Sequence, residues 1–188
     1  ALDLRLVDPE AKVSGGGKVE AMVKNALVHY RETQEQRGAQ AIFCQLYQSP
    51  GNYGSFEVPE SSRFNMFREI KRQLVAAGVP EAEIVDQLPS GDKAREAVFE
   101  KVRTGEVRFV MGMVKTLGTG VNIQDRLIAA HILQLPLTPA ELEQEIGRIE
   151  RSGNMFDPVH VYTYAVEGGP DTFFAQVLAN KQAFIDQV

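Results

Sequence analysis

Gln144, Arg148 and Arg151 stand four and three residues apart in the string Gln144-Glu145-Ile146-Gly147-Arg148-Ile149-Glu150-Arg151. That spacing stacks side chains on one face of a helix. Leu142, Ile146 and Ile149 recur at the same steps on roughly the opposite side, the stripe that an amphipathic helix buries. A carboxamide and two planar guanidinium forks on one face suit the oxygens of a phosphate group. With no anion before them, two arginines three residues apart repel by a few tenths of a kcal/mol. Gly147 costs such a helix about 1 kcal/mol relative to alanine, which makes sense if a neighbour or a ligand must approach the backbone there. The competing reading is a solvated face whose arginines pair with Glu141, Glu145 or Glu150.

A second string with chemical potential is Lys115-Thr116-Leu117-Gly118-Thr119-Gly120-Val121-Asn122. Its two close glycines are not a dinucleotide-binding turn, because Ile123 stands where the third glycine belongs and the string comes late in the chain. Ser14 to Lys18 is not a phosphate-binding loop either. Lys12 occupies the place of the first glycine, and Val19 that of the hydroxyl residue after the lysine. His29, His131 and His160 look scattered, and His131 lies in an apolar stretch, as a core histidine would. Cys44, the single cysteine, has a similar setting and reads as a packed thiol. Asp125 and Arg126 read as structural. Arg63, Arg68, Lys71 and Arg72 are diluted by Glu60 and Glu69, and read as a solvated helix face.

The elements that must position these residues alternate. Lys18 to about Glu32 has helical periodicity, Ala41 to Cys44 is a short apolar run, and Ser49 to Ser62 reads as a long surface loop. A helix over Phe64 to Leu74 follows, stopped by Gly78. Then come a strand at Ile84-Val85, a helix from Lys93 to Arg103 ending at Gly105, and a strand at Arg108 to Met111. After the glycine-rich turn the chain offers a strand from Ile128 to Leu135 and a helix from Pro139 to about Arg151. Thr138, Pro139 and Glu141 have the form of its start. A strand from Val159 to Val166 and a helix from Asp171 to Val188 close the chain. Buried strands alternating with helices predict an α/β fold: one parallel sheet of about five or six strands with helices on both faces. Ligands of such sheets bind beyond the carboxyl ends of the strands, which directs attention to the loops after Met113 and after Leu135.

Composition sets outer bounds. The 188 residues, 44% hydrophobic and 24% charged, suit a globular domain able to fold without disulfides or metal. One cysteine excludes a disulfide framework and a cysteine-rich zinc site. No apolar run approaches the roughly 20 residues of a membrane span, so no membrane role and a cytoplasmic setting are expected. The net charge of −5 requires any contact with nucleic acid to come from a local patch or another domain. A chain that begins at Ala1 is read as a fragment or a processed product.

The string Gln144 to Asn154 resembles motif VI of superfamily 2 helicases, Q-x-x-G-R-x-x-R-x-G, and Lys115 to Asn122 resembles motif V as the Swi/Snf-like branch writes it. Ala41 to Gln45 is similar to the strand of motif IV. Ser14 to Val19 resembles the serine–lysine lead-in to that branch's second motor domain. The chain is also similar to the helicase region of phage and plasmid polypeptides that join an adenine-specific DNA methylase to a helicase, as in antirestriction-type proteins. Ala1 to Pro9, Gly105 to Arg108, Gly118 to Leu127, Pro139 to Gln144 and Asn180 to Ile185 carry that likeness. Glu145 and Leu137-Thr138 depart from it, standing where relatives carry a basic residue and Trp-Arg.

The resemblance implies a RecA-like second motor domain over 1–188, with a lead-in segment at 1–17 and a C-terminal helix packing on the domain at 167–188. It implies an ATP-dependent DNA helicase or translocase in which Arg148 and Arg151 are catalytic, Arg151 being the arginine finger. Gln144, Gly147, Gly120 and Asn122 would contact the nucleotide. Lys115, Thr116 and Thr119 would contact DNA, taken to be double-stranded. ATP with Mg2+ is the implied cofactor, the ion being held by the first RecA-like domain of the same polypeptide, and a methylase domain in cis is the further implied partner. The isolated chain would then be inactive. The alternative is a catalytically inert RecA-like module that binds DNA or a protein.

Overall fold

The computed structural model describes residues 6, 17–46, 48, 52–53, 56–57, 63–117, 123–134, 147, 153–166 and 176. The main sheet is built from β1 (Ala39–Phe43), β4 (Ile84–Val85), β5 (Phe109–Gly112), β6 (Leu127–Ile132) and β7 (His160–Thr163). Its order is β4-β5-β1-β6-β7, and every pairing in it is parallel. The α/β expectation therefore stands, at five strands. Inside the expected loop of residues 49–62 the structure has an antiparallel hairpin, β2 (Asn52–Tyr53) with β3 (Phe56–Glu57). Two-residue strands are too short to show periodicity, so the glycines and prolines around them dominate the reading.

The helices lie on both faces. Four residues of α1 (Lys18–Glu32), namely Val19, Met22, Val23 and Ala26, join Met66, Phe67, Ile70 and Leu74 of α2 (Met66–Ala76). Together they cover Ile42, Phe109 and Met111 on one face of the sheet. Phe99 and Val102 of α3 (Asp92–Thr104) cover Ala41, Val110 and Ala130 on the other. Neighbouring residues of one strand divide between the two clusters, as a period of two requires. All five residues of β1 and all six of β6 are buried, which explains their unbroken apolar runs. The short helix α4 (Val114–Leu117) follows β5 directly, where a glycine-rich turn was expected to begin. The expected helices at 139–151 and 171–188, with the lead-in segment 1–17, lie almost wholly outside the described residues. Within them, Gly147 and Gln176 are helical.

At the amino edge of the sheet one buried cation ties the layers together. Arg108 is fully buried. It donates to Gly38 O at 2.5 Å, Tyr30 O at 3.1 Å and Thr33 Oγ1 at 2.9 Å, and its guanidinium lies 4.4 Å from the centre of the Tyr30 ring. The string Gly105 to Arg108 thus has a structural reason to exist, namely joining α1 to β5.

Candidate functional site

Two places draw on the residues singled out by the sequence, one at each edge of the sheet. At the carboxyl edge, a cleft of about 190 Å³ opens beyond β1, β4 and β5, with Gln48, Asn65, Arg68, Asp86, Met113 and Thr116 on its walls. Asn65 caps α2, its Oδ1 accepting from Phe67 N at 3.0 Å and Arg68 N at 3.2 Å. The cap both satisfies otherwise orphaned donors and sets where Arg68 leaves the helix. Thr116 Oγ1 donates to Met113 O at 2.8 Å, closing the α4 turn. Gly112 lets that turn fold back, since a Cβ there would lie 2.9 Å from Leu117 Cγ and 3.0 Å from Thr116 Oγ1. Lys71 Nζ is shared between Glu81 at 3.0 Å and Asp86 at 3.3 Å, so it offsets the carboxylate on the cleft wall only in part. Arg72 pairs with Glu69, in keeping with a solvated helix face, whereas Arg68 faces the cleft.

At the amino edge, the stretches that follow the two strings meet. Ile123 is buried in the second core cluster and leads into a 3-10 turn at Gln124–Arg126. Arg126 anchors that turn, donating from Nε to Arg103 O at 2.8 Å and from Nη1 to Gln36 O, so the structural reading of this pair holds. Met155 N donates to Asp125 O at 2.9 Å. Beside it, Asn154 Nδ2 donates to Leu127 O at 2.7 Å, and Asn154 Oδ1 accepts from Phe156 N at 2.9 Å. Gly153, at φ +95, makes the left-handed turn into this segment, a conformation natural to glycine.

Of the expected site residues, Thr116 lies on the cleft wall, Lys115 belongs to α4, and Gly147 is helical and exposed. A Cβ on Gly147 would meet nothing within 4 Å, so packing among the described residues does not account for that glycine. Thr119, Gly120, Asn122, Gln144, Arg148 and Arg151 lie outside the described residues. The stretches that follow both strings are fastened together at the amino edge, where a parallel sheet requires the chain to return before β6 and β7, whereas the loops after Met113 and Leu135 lie mostly outside the described residues. Asn154 closes the motif VI-like string and Asp125 and Leu127 end the stretch Gly118 to Leu127, but the sequence did not show that these residues meet.

The histidines are not scattered. Parallel pairing sets His131 opposite Tyr162 and Ala129 opposite His160, and α1 brings its inward-facing His29 to the same place. His29 Nε2 lies 2.8 Å from Tyr162 Oη, and the rings of His29 and His160 are 4.6 Å apart. Gln40 Nε2 donates to Ala26 O at 2.8 Å, which leaves its Oε1 to accept from His131 Nε2–H at 2.9 Å. His131 Nδ1 then accepts from the Tyr164 hydroxyl at 2.7 Å, which in turn accepts from Asn25 at 3.3 Å. The bonds hold His131 neutral with its proton on Nε2, and burial pushes its pKa down to about 3. This is a core histidine, as expected. Cys44 is likewise a core thiol, pushed up to about 12 by burial. Lys18, which is no phosphate ligand, is buried and donates to Leu133 O at 3.2 Å.

Comparison with known proteins agrees with this architecture. The chain superposes on the C-terminal part of the Fun30 ATPase domain with a TM-score of 0.55 at 13% identity, over 88% of this chain and 48% of that one. It superposes on the DUF1998 helicase MrfA, solved with DNA and AMPPNP, with a TM-score of 0.54 at 15% identity, over 88% of this chain and 20% of that one. At such identities the likeness is one of fold. The chain spans about half of the first structure and about a fifth of the second. No curated protein matches it by sequence at a significant level. The family described as "Helicase conserved C-terminal domain" matches residues 22–153, a stretch that opens in α1, takes in β1 to β6 and both strings, and stops at the Gly153 turn: the chain belongs to that family.

Proposed function

We propose that this chain is the second motor lobe of an ATP-dependent DNA helicase or translocase, supplying the motif V-like and motif VI-like strings to a nucleotide held by another lobe. The observation that carries this reading is the bond from Met155 N to Asp125 O. Asn122 lies three residues before Asp125 and Arg151 four residues before Met155, so the two strings end on a common anchor. Segments distant in sequence but joined at their ends can act on one ligand. The exposed Gly147, with open space where a side chain would be, supports a helix face left clear for an incoming lobe or nucleotide.

In this reading Arg148 and Arg151 provide the charge that stabilises phosphoryl transfer, with Arg151 as the finger. Gln144, Gly147, Gly120 and Asn122 contact the nucleotide. The donor set fits a triphosphate, because guanidinium forks and a carboxamide are hydrogen-bond donors to its oxygens. Mg2+ would be held by the first RecA-like lobe. Lys115, Thr116 and Thr119 meet the backbone of double-stranded DNA, and the position of Thr116 on the cleft wall supports this. MrfA was solved with both DNA and a nucleotide analogue, which makes the same pair of ligands reasonable here. The strings shared with methylase-linked helicases support a phage or plasmid polypeptide with a methylase domain in cis, working in the cytoplasm.

The test is Arg151→Ala in the full-length parent protein. DNA-stimulated ATP hydrolysis should fall by about 10³- to 10⁵-fold, the usual contribution of an arginine finger, with thermal unfolding unchanged. Wild-type turnover in that variant would overturn the assignment.

A further inference from the structure

Asn154 is the first described side chain after the arginine pair, and both ends of its amide are engaged. Its Nδ2 reaches Leu127 O at the amino end of β6, and its Oδ1 holds the turn to Phe156. Next to it, the Met155–Asp125 bond joins the same segment to the turn at Gln124–Arg126. That turn is itself immobilised, because Arg126 reaches the last turn of α3 and the loop after α1. The downstream ends of both strings therefore rest on one block, and Asn154 is the side chain that fastens the second string to it.

Asn154 lies three positions after Arg151, so the chain allows no more than about 11 Å between their Cα atoms. An anchor so near in sequence limits how far the guanidinium's position can stray from it. The rate of phosphoryl transfer depends steeply on that position, and a displacement of about 1 Å can cost about 100-fold.

We infer that Asn154 is a positioning residue, which acts through Arg151 by fixing the end of its segment to Leu127 and so holds the two strings in register across the nucleotide. The inference rests on the motor reading above. The experiment is a set of single-turnover and steady-state ATPase measurements on the full-length parent with DNA. It compares the wild type with Asn154→Ala, Asn154→Asp, Arg151→Ala and the Arg151→Ala/Asn154→Ala double variant, each checked by thermal unfolding. Asn154→Ala should lower kcat by about 10- to 100-fold and leave KM for ATP within about twofold. Asn154→Asp keeps the acceptor for Phe156 N but loses the donor to Leu127 O. It should behave like the alanine variant, and it provides the same readout if the alanine variant does not fold. The double variant should be no slower than Arg151→Ala alone, since a residue acting through the arginine has nothing left to position.

Wild-type kcat in both Asn154 variants, with Arg151→Ala inactive, would overturn the positioning role and leave the motor reading intact. A double variant slower than Arg151→Ala by the full Asn154 factor would also overturn it, placing the action of Asn154 elsewhere. Wild-type turnover in Arg151→Ala would remove the motor reading and this inference together.

Discussion

His131 shows what burial does to a titratable side chain when every partner is neutral. Gln40, Tyr164 and the nearby rings offer the imidazole no carboxylate, so burial first and the nearby His29 second hold its pKa at about 3 in the folded protein, while the unfolded chain protonates near 6.5. Between those values the unfolded state binds the extra proton. The stabilisation by His131 is therefore complete above pH 6.5 and is lost as pH falls toward 3, at up to about 1.4 kcal/mol per pH unit. His29 is lowered as well, by burial first and by the nearby His160 second, with Glu32 opposing, so it contributes in the same direction. Urea unfolding of His131→Gln should show a protein weaker than wild type at pH 7, with the gap closing between pH 6.5 and 4. A gap constant across that range would contradict the account. The sequence showed an isolated histidine in an apolar run and could not show its neighbours, because the contacts span 33 and 91 residues.

At the scale of the element, legibility followed periodicity. The helices α1, α2 and α3 were plain because each presents an unbroken pattern over its length, and the two-residue β4 stood out as the apolar pair Ile84-Val85. The ends of the other strands moved by a residue or more; β1, β5 and β6 are fully buried and have no alternation to mark where they stop, whereas β7, which is partly exposed, was read too long at both ends. The helix α4 and the hairpin β2–β3 were missed for lack of length. Of the candidate site, Thr116 could be placed on a wall because α4 is held by its own turn and by Gly112. That arrangement can be tested. Gly112→Ala would press a methyl group against Leu117 Cγ, a buried side chain, and against Thr116 Oγ1. The variant should lose about 1–3 kcal/mol in urea unfolding, the usual cost of forced overpacking, and DNA stimulation of the parent's ATPase should fall as Thr116 shifts. An alanine variant of unchanged stability and stimulation would mean that α4 yields freely and that its position is not set by the glycine.

For the molecule as a whole, charge decides where nucleic acid can touch it. A lobe with a net charge of −5 repels phosphates at long range, so binding must come from a place where positive charge is locally unbalanced or hydrogen-bond donors converge. The carboxyl-edge cleft meets the second requirement, the convergence of donors, without an excess of positive charge. Lys71 is shared between Glu81 at 3.0 Å and Asp86 at 3.3 Å, so Arg68 on the wall brings these charges to balance, next to the Thr116 hydroxyl and the amides of Gln48, Asn65 and Gln87. In the proposed reading Arg68 stands with Thr116 among the groups that meet DNA, and the nucleotide contacts are assigned to Gly120, Asn122, Gln144, Gly147, Arg148 and Arg151 instead. Arg68→Gln in the parent protein should therefore weaken DNA binding while sparing hydrolysis measured without DNA. Each phosphate contact contributes roughly 0.9 to the slope of log K against log salt on a duplex, so the variant's slope should fall by about one. Unequal effects on the two activities follow if Arg68 touches DNA and not the nucleotide. An equal loss of DNA-free and DNA-stimulated turnover would instead place Arg68 in the nucleotide machinery and overturn its assignment to DNA.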